Sequence, residues 1–288
     1  MAYDYKELKA HGFMQQKQPG CFSMRLKSVG GKFTAAQLQT VQEVAEKFGE
    51  GYVHLTSRQG IEIPFIKEKD IEDVKKALAA GGLATGFCGA QVRTITACQG
   101  CAICRSGLID TSRLAESFAE RYAGRSLPHK FKVGFTGCHN NCLKTEENDI
   151  GVKGAVKPVW QQDSCKFCGA CVKICPQGAL TMDRENKKIV WNHRKCVYCG
   201  KCIKSCNFGA WEKKIGFAVS FGGLYGNRIA VGKKFTPIIY GEDKLYKTLD
   251  AALDYFEQHG KKGERFRNLL DRIGWEEFRQ AIKKTITE

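Results

Sequence analysis

A chain of 288 residues, 43% hydrophobic and 26% charged, can bury a core and is not a disordered tail. Its 46 Lys+Arg against 30 Asp+Glu give a formal charge of +16, which raises the question of nucleic acid or another polyanion. The 15 cysteines are odd in number and too sparse for a disulfide scaffold; with no apolar leader in Met1–Glu7 and no apolar run long enough to span a bilayer, a cytoplasmic, metal-binding protein is expected.

Phe22, Met24 and Leu26 alternate with polar residues as in a half-buried strand. Thr34 is the expected N-cap of a helix over Ala35–Phe48, stopped by Gly49. Tyr52, Val53 and Leu55 suggest a strand, and Ile61, Ile63 and Phe65 a second. Asp70 opens a helix through Ala80, ended by Gly81-Gly82. The order strand–helix–strand–strand–helix is most of a ferredoxin-like α+β unit. A helix near Ser112–Ala123 and a strand near Phe131–Phe135 follow. Beyond a cysteine-dense run come expected strands at Phe217–Phe221 and Arg228–Val231. Helices near Leu245–Gln258 and Arg265–Lys284 close the chain.

The dense run holds Cys165-x2-Cys168-x2-Cys171-x3-Cys175-Pro176 and Cys196-x2-Cys199-x2-Cys202-x3-Cys206-Asn207. This is the spacing of a two-cluster bacterial ferredoxin. Thiols at every third position of a tight loop converge on one cubane, and the fourth reaches across to the other. One [4Fe–4S] cluster is therefore assigned to Cys165, Cys168, Cys171 and Cys206, the other to Cys196, Cys199, Cys202 and Cys175. Gly169 and Gly200 suit loops whose amides turn toward cluster sulfurs. The alternative is a pair of zinc sites, which needs neither the third Cys nor the fourth. Two adjacent clusters form an electron wire, and the rest of the chain should hold what the electrons reach.

Upstream stand Cys98-x5-Cys104 and Cys138-x3-Cys142. These paired spacings resemble the siroheme–[4Fe–4S] site of the siroheme-dependent nitrite and sulfite reductase family, and most closely its anaerobic sulfite reductase type, in which the siroheme catalytic polypeptide carries an inserted ferredoxin module. The resemblance implies a third [4Fe–4S] cluster on Cys98, Cys104, Cys138 and Cys142, with Cys142 bridging to siroheme. Cys101 could open a third ferredoxin-type run, but Leu108 stands where its fourth Cys would fall, so Cys101 is read as a bystander. Cys21 and Cys88 are read as small buried thiols. His139 is read as a neighbour of the cluster rather than an axial ligand.

The resemblance continues outside the cysteines. Met24-Arg25-Leu26 and Gln91-Val92-Arg93-Thr94 look like the family's two substrate arginines. Leu55-Thr56-Ser57-Arg58-Gln59-Gly60 resembles its Thr-Thr-Arg-Gln segment, whose arginine meets siroheme carboxylates. Pro128-His129-Lys130-Phe131-Lys132 resembles its Pro-Arg-Lys-Phe-Lys segment, with His129 as a departure. Phe221-Gly222-Gly223 with Arg228 resembles a Gly-rich strand near the cofactor, and Glu264-Arg265-Phe266 the family's tail. Arg58 and Arg228, then Thr94, Thr96 and Asn141, are the implied siroheme partners. The implied fold is an α+β, ferredoxin-like reductase half-unit with an inserted dicluster ferredoxin domain. Residues 1–84 would form the ferredoxin-like half-domain, 85–159 with 212–288 the siroheme/[4Fe–4S] domain, and 160–211 the insert.

The implied reaction is six-electron reduction of sulfite to sulfide, or of nitrite to ammonium. A small oxyanion needs fixed cations in place of water. Arg25 and Arg93 can fork its oxygens, and Lys130 and Lys132 can neutralise charge and release protons. Two residues apart on a strand, both lysines point to one face. A different class, a polyferredoxin without siroheme, would use only the cysteines. No dinucleotide fingerprint is present, so a ferredoxin or a flavin- or NAD(P)H-oxidising partner must bring electrons. A homo- or hetero-oligomer is expected. Three clusters with four thiolates each add about −6 and an ionised siroheme about −8, so the +16 shrinks to roughly +2 and reads as counter-charge for cofactors, not as nucleic-acid binding.

Overall fold

The computed structural model describes residues 4–287; Met1–Tyr3, the start of the stretch read as leaderless and of the expected 1–84 unit, lie outside them. The chain begins with α1 (Tyr5–Ala10) and β1 (Phe13–Gln15). Then follow β2 (Cys21–Arg25), α2 (Ala35–Phe48), β3 (His54–Leu55), β4 (Ile61–Lys67) and α3 (Ile71–Ala80). The four strands form an antiparallel sheet in the order β1-β2-β4-β3. Phe22, Met24 and Leu26 are buried as their alternation requires, and they meet Val41, Val44, Ile63 and Val74 in one core. Arg25 lies between two of these apolar residues, so its side chain leaves the sheet on the opposite face. Thr34 caps α2 in a reciprocal capping box with Gln37. β1 is an edge strand that the sequence pattern does not announce. Tyr52, Val53 and Leu55, read as a strand, are exposed, and only two residues there pair with β4. An edge position explains this, since it offers a partner on one side only.

The central sheet contains β5 (Thr96–Ala97), β6 (Val133–Thr136), β7 (Ile150–Trp160), β10 (Trp211–Phe221) and β11 (Lys233–Lys234), in the order β11-β10-β7-β6-β5. β5, β6 and β7 run parallel; β10 returns antiparallel. α4 (Thr111–Tyr122) packs on β5 and β6. α7 (Glu242–His259), α8 (Phe266–Ile273) and α9 (Trp275–Thr287) complete the core, in which Phe221, Phe256, Phe266 and Phe278 pack edge to face and Phe131 lies tilted against Phe266. The helix read over Arg265–Lys284 is two helices, because Gly274 sits at φ +115°, outside helical backbone. The strand read at Arg228–Val231 is a loop closed by a single bridge between Leu224 and Ala230, and the ladder resumes at Lys233.

The whole of β7 escapes the sequence pattern. Its Gly151, Gly154 and Pro158 dilute the strand signal, and the close packing around it is the reason for the glycines. A Cβ on Gly154 would lie 2.2 Å from the Gly137 carbonyl oxygen, on the residue before Cys138. Gly154→Ala should therefore destabilise the protein at the upper end of about 1–3 kcal/mol and disturb the Cys138 loop. A lower thermal unfolding midpoint together with reduced iron content would show it.

β7 and β10 pair over their full length, from Ile150–Phe221 to Trp160–Trp211. The chain leaves this ladder at Gln161 and returns at Ala210, where the Gln161 N–H donates to the Ala210 carbonyl at 3.0 Å. Between them lie α5 (Ala170–Lys173), β8 (Leu180–Asp183), β9 (Lys188–Trp191) and α6 (Lys201–Lys204), with β8 and β9 in a hairpin. The segment is internally repeated. Phe167 and Gly169 before α5, and Tyr198 and Gly200 before α6, all have positive φ. Among the described residues no helix is long and apolar enough to cross a membrane.

Candidate functional site: a cationic pocket and three groups of thiols

Arg25 from β2, Arg58 after β3, and Arg93 with Thr94 before β5 line one cavity, with Thr56, Ser57 and Phe87 between them. Arg93 is held at its root, its Nε donating to the Phe87 carbonyl at 2.6 Å. Its Nη2 reaches the Cys88 sulfur at 3.1 Å, and Arg25 Nη1 reaches the same sulfur at 3.6 Å. Arg25 also pairs with Glu62. Cys88 is buried, but it is more than a filler: it accepts from both guanidinium groups. Arg58 donates to Asn148 Oδ1 at 2.8 Å and to the Thr94 carbonyl at 2.9 Å, while its Nε is buried without a partner among the described residues. Burial and the neighbouring Arg93 bring the Arg58 guanidinium down to about 10, against the pull of Asp149.

Lys130 and Lys132 flank the fully buried Phe131, so both lie on the face away from the core. They share an electrostatic environment with the arginines. Burial, then Arg265 and Arg93, lower Lys130. Burial, then Arg58 and Arg265, push Lys132 down to about 8. A set of cations that raises its members' cost of staying charged is what an anion-binding pocket looks like without its anion.

The other residues read as siroheme partners are placed differently. Thr94 holds Arg58 through its backbone carbonyl. Thr96 is buried in β5 and its hydroxyl donates to the Val133 carbonyl. Asn141 has φ +53° and accepts from the Thr145 N–H and hydroxyl, both at 3.0 Å, while its amide donates to Glu146. Arg228 is on the α8 side, paired with Asp271 at 2.8 Å and donating to Asn268 at 3.2 Å. The structure does not bring Arg228 to the Arg25–Arg58–Arg93 cavity.

Cys98, Cys104, Cys138 and Cys142 come together from two loops. Burial raises the Cys138 thiol, and the nearness of Cys104, Cys142 and Cys98 raises it further. Cys101 is exposed. Burial would also raise Cys98, but amide hydrogen bonds from Gly100 and Gly137 and the hydroxyls of Thr111 and Thr136 outweigh it and leave that thiol lowered. The Gly137 N–H lies 3.0 Å from the Cys98 sulfur. In the segment between β7 and β10, one cavity is lined by Cys175, Cys196, Cys199 and Cys202, and another by Cys165, Cys168, Cys171 and Cys206. The fourth cysteine of each run thus faces the other run's three. The Ala179 N–H donates to the Cys175 sulfur at 3.2 Å, and the Tyr198 N–H to Cys196 at 3.4 Å. Burial, then Cys199, push Cys202 up to about 12. Such crowding disfavours four bare thiolates and suits a cationic iron–sulfur core, which reverses the local pKa logic. The donor sets therefore fit clusters. The insert also touches the loop after Cys104: Lys204 donates to the Arg105 carbonyl at 3.1 Å.

A family model described as the nitrite and sulphite reductase 4Fe-4S domain matches residues 88–288. The chain belongs to that family. The nitrite/sulfite reductase ferredoxin-like half domain matches residues 14–81, the part that carries the antiparallel sheet, so the α+β, ferredoxin-like reading of the fold holds. The chain is 31% identical to the coenzyme F420-dependent sulfite reductase of Methanocaldococcus jannaschii over 95% of its own length and 44% of that protein. It is 32% identical to one polypeptide of the anaerobic sulfite reductase of Salmonella typhimurium over 62% of its length and 58% of that polypeptide. It thus spans about half the length of these two relatives. The crystal structure of dissimilatory sulfite reductase I shares the fold, with a TM-score of 0.74 at 20% identity over 91% of this chain and 69% of that one. Siroheme and a [4Fe–4S] cluster are the cofactors of this family of oxidoreductases. Sequence reasoning missed Cys88 as a partner of two arginines, and it missed Asp149 and Arg265 as pocket groups. No local motif marks Cys88 or Asp149, and the segment of Arg265, read only as part of the tail, gives no sign of its partner; only the fold brings them together.

Proposed function

We propose that this chain reduces sulfite to sulfide at a siroheme coupled to a [4Fe–4S] cluster on Cys98, Cys104, Cys138 and Cys142, fed through two ferredoxin-type clusters in the insert. The observation that carries this reading is the cavity of Arg25, Arg58 and Arg93, whose charges act on Lys130 and Lys132, in a chain that also gathers four thiols from two loops. By its place in the motif, Cys142 would be the residue that links the cluster to siroheme. Bound siroheme and clusters supply the redox chemistry. Bisulfite takes up six electrons and six protons and gives hydrosulfide and three waters. Arg25 and Arg93 hold the oxyanion's oxygens in directed forks. Lys130 and Lys132 offset its charge and hand protons to oxygens that leave as water. Arg58, buried and half-satisfied, is suited to a siroheme carboxylate, which would pair its free Nε. The insert's crossed cavities support the electron route, with the cluster of Cys196 next to the Cys104 loop because α6 touches Arg105. An electron-donor protein and an oligomeric partner complete the assembly, in the cytoplasm, without nucleic acid.

Counting iron, acid-labile sulfide, zinc and siroheme in the purified protein tests this first. About twelve irons in clusters and one siroheme are expected. Zinc in place of iron, or clusters with no siroheme bands, would leave a zinc protein or a plain electron carrier. With one artificial donor, sulfite should be turned over faster than nitrite; the reverse ratio would make the chain a nitrite reductase that forms ammonium.

A further inference from the structure

Asp149 is fully buried just before β7 and ties three separate segments together. One of its oxygens accepts the Lys132 backbone N–H at 2.8 Å, and both lie 3.2 Å from Nη2 of Arg265, the residue that opens α8. Its carbonyl accepts the Gly222 N–H at 2.9 Å. A buried carboxylate is costly unless paired and hydrogen-bonded, and here it is both. The pair adjoins the cationic pocket: Asp149 acts on Arg58, Lys130 and Lys132, and Arg265 on His129, Lys130 and Lys132.

We propose that the Asp149–Arg265 pair is a positioning device for Lys132, fixing its backbone and setting the charges around its ammonium, which hands a proton to the bound anion. The inference rests on the reading of Lys132 as a proton donor. The charged groups facing Lys132 have opposing effects. Asp149 favours the ammonium; Arg58, Arg265 and Lys130 disfavour it. Neither Asp149 nor Arg265 needs to touch substrate. Their separation in the chain, 116 residues, makes the link between β7 and α8 a condition for assembling the pocket.

The test reads Lys132 itself. The holoprotein is acetylated with acetic anhydride across a pH series, and peptide mass spectrometry follows the Lys132 peptide. The wild-type midpoint is expected near 8. Asp149→Asn should lower it by roughly one unit or more, because a favourable charge close to the ammonium is gone. Arg265→Gln should raise it, because a like charge is gone. Midpoints that stay put, or that move the same way in both variants, overturn the proposal. If Asp149→Asn does not assemble, Arg265→Gln decides alone: an unchanged or lower midpoint overturns it. Loss of the oxyanion reading would show separately, as unaltered sulfite turnover in Lys132→Ala, without touching this titration.

Discussion

Replacing Lys130 and Lys132 together by alanine is expected to leave siroheme and iron content intact and to lower sulfite turnover by about 10²–10⁴-fold, the range for removing general acid catalysis. Both side chains point away from the core that Phe131 anchors, so their loss opens no apolar cavity. The variant should fold and load its cofactors. Its defect should lie in binding and protonating the anion. Unchanged turnover in a fully loaded double variant would mean that the substrate pocket is elsewhere.

The same lysines give a pH signature. Lys132 is lowered to about 8 by burial and by Arg58 and Arg265. Its ammonium is therefore present below pH 8 and lost as pH rises through it. Turnover that depends on this proton should fall on that limb, whereas an ordinary lysine would hold its proton to about 10.4. Lys132→Ala should remove the limb as well as most of the rate.

Which features were legible in the sequence follows from distance along the chain. Cysteine spacing is local covalent information, so both runs are legible in the sequence; that one cavity takes Cys175 with the second run and another Cys206 with the first is seen only in the fold. The helix after Thr34 carries its own cap and its own apolar face, and needs no tertiary help to be read. β7 does need that help. Gly151 and Gly154 are there for close contacts with Thr145 and Gly137, and those contacts do not exist until the chain is folded. Gly274 looks like an ordinary interruption of a helical pattern until its φ is known. The pocket divides along the same line. Arg25, Arg58, Arg93 and the two lysines sit in short segments with recognisable neighbours. Asp149 and Arg265 are a single charge pair made by residues far apart, and nothing near either one announces it. Arg228 shows the opposite failure. Its segment looks like a cofactor strand, yet Asp271 and Asn268 on α8 hold its guanidinium.

Replacing Cys142 by serine is expected to abolish the magnetic coupling between siroheme and its cluster and to bring sulfite turnover to background. The four thiols of the cradle are not equivalent. Cys98 is wrapped by the Gly137 amide and the Thr111 and Thr136 hydroxyls. Cys138 is buried. Cys104 and Cys142 are the exposed pair, and the loop after Cys104 is covered by Lys204 on the Arg105 carbonyl. On the proposed reading Cys142 would be the thiolate linked to both groups, and it is one of the two exposed thiols. Cys138→Ser serves as the contrast: losing a ligand on the protein side should cost the cluster itself, seen as lost iron and sulfide. In Cys142→Ser, electron paramagnetic resonance should show siroheme iron free of exchange with any neighbouring cluster. Retained coupling in that variant, with coupling lost in Cys104→Ser, would move the bridge to Cys104 and turn the open side of the cradle toward the insert.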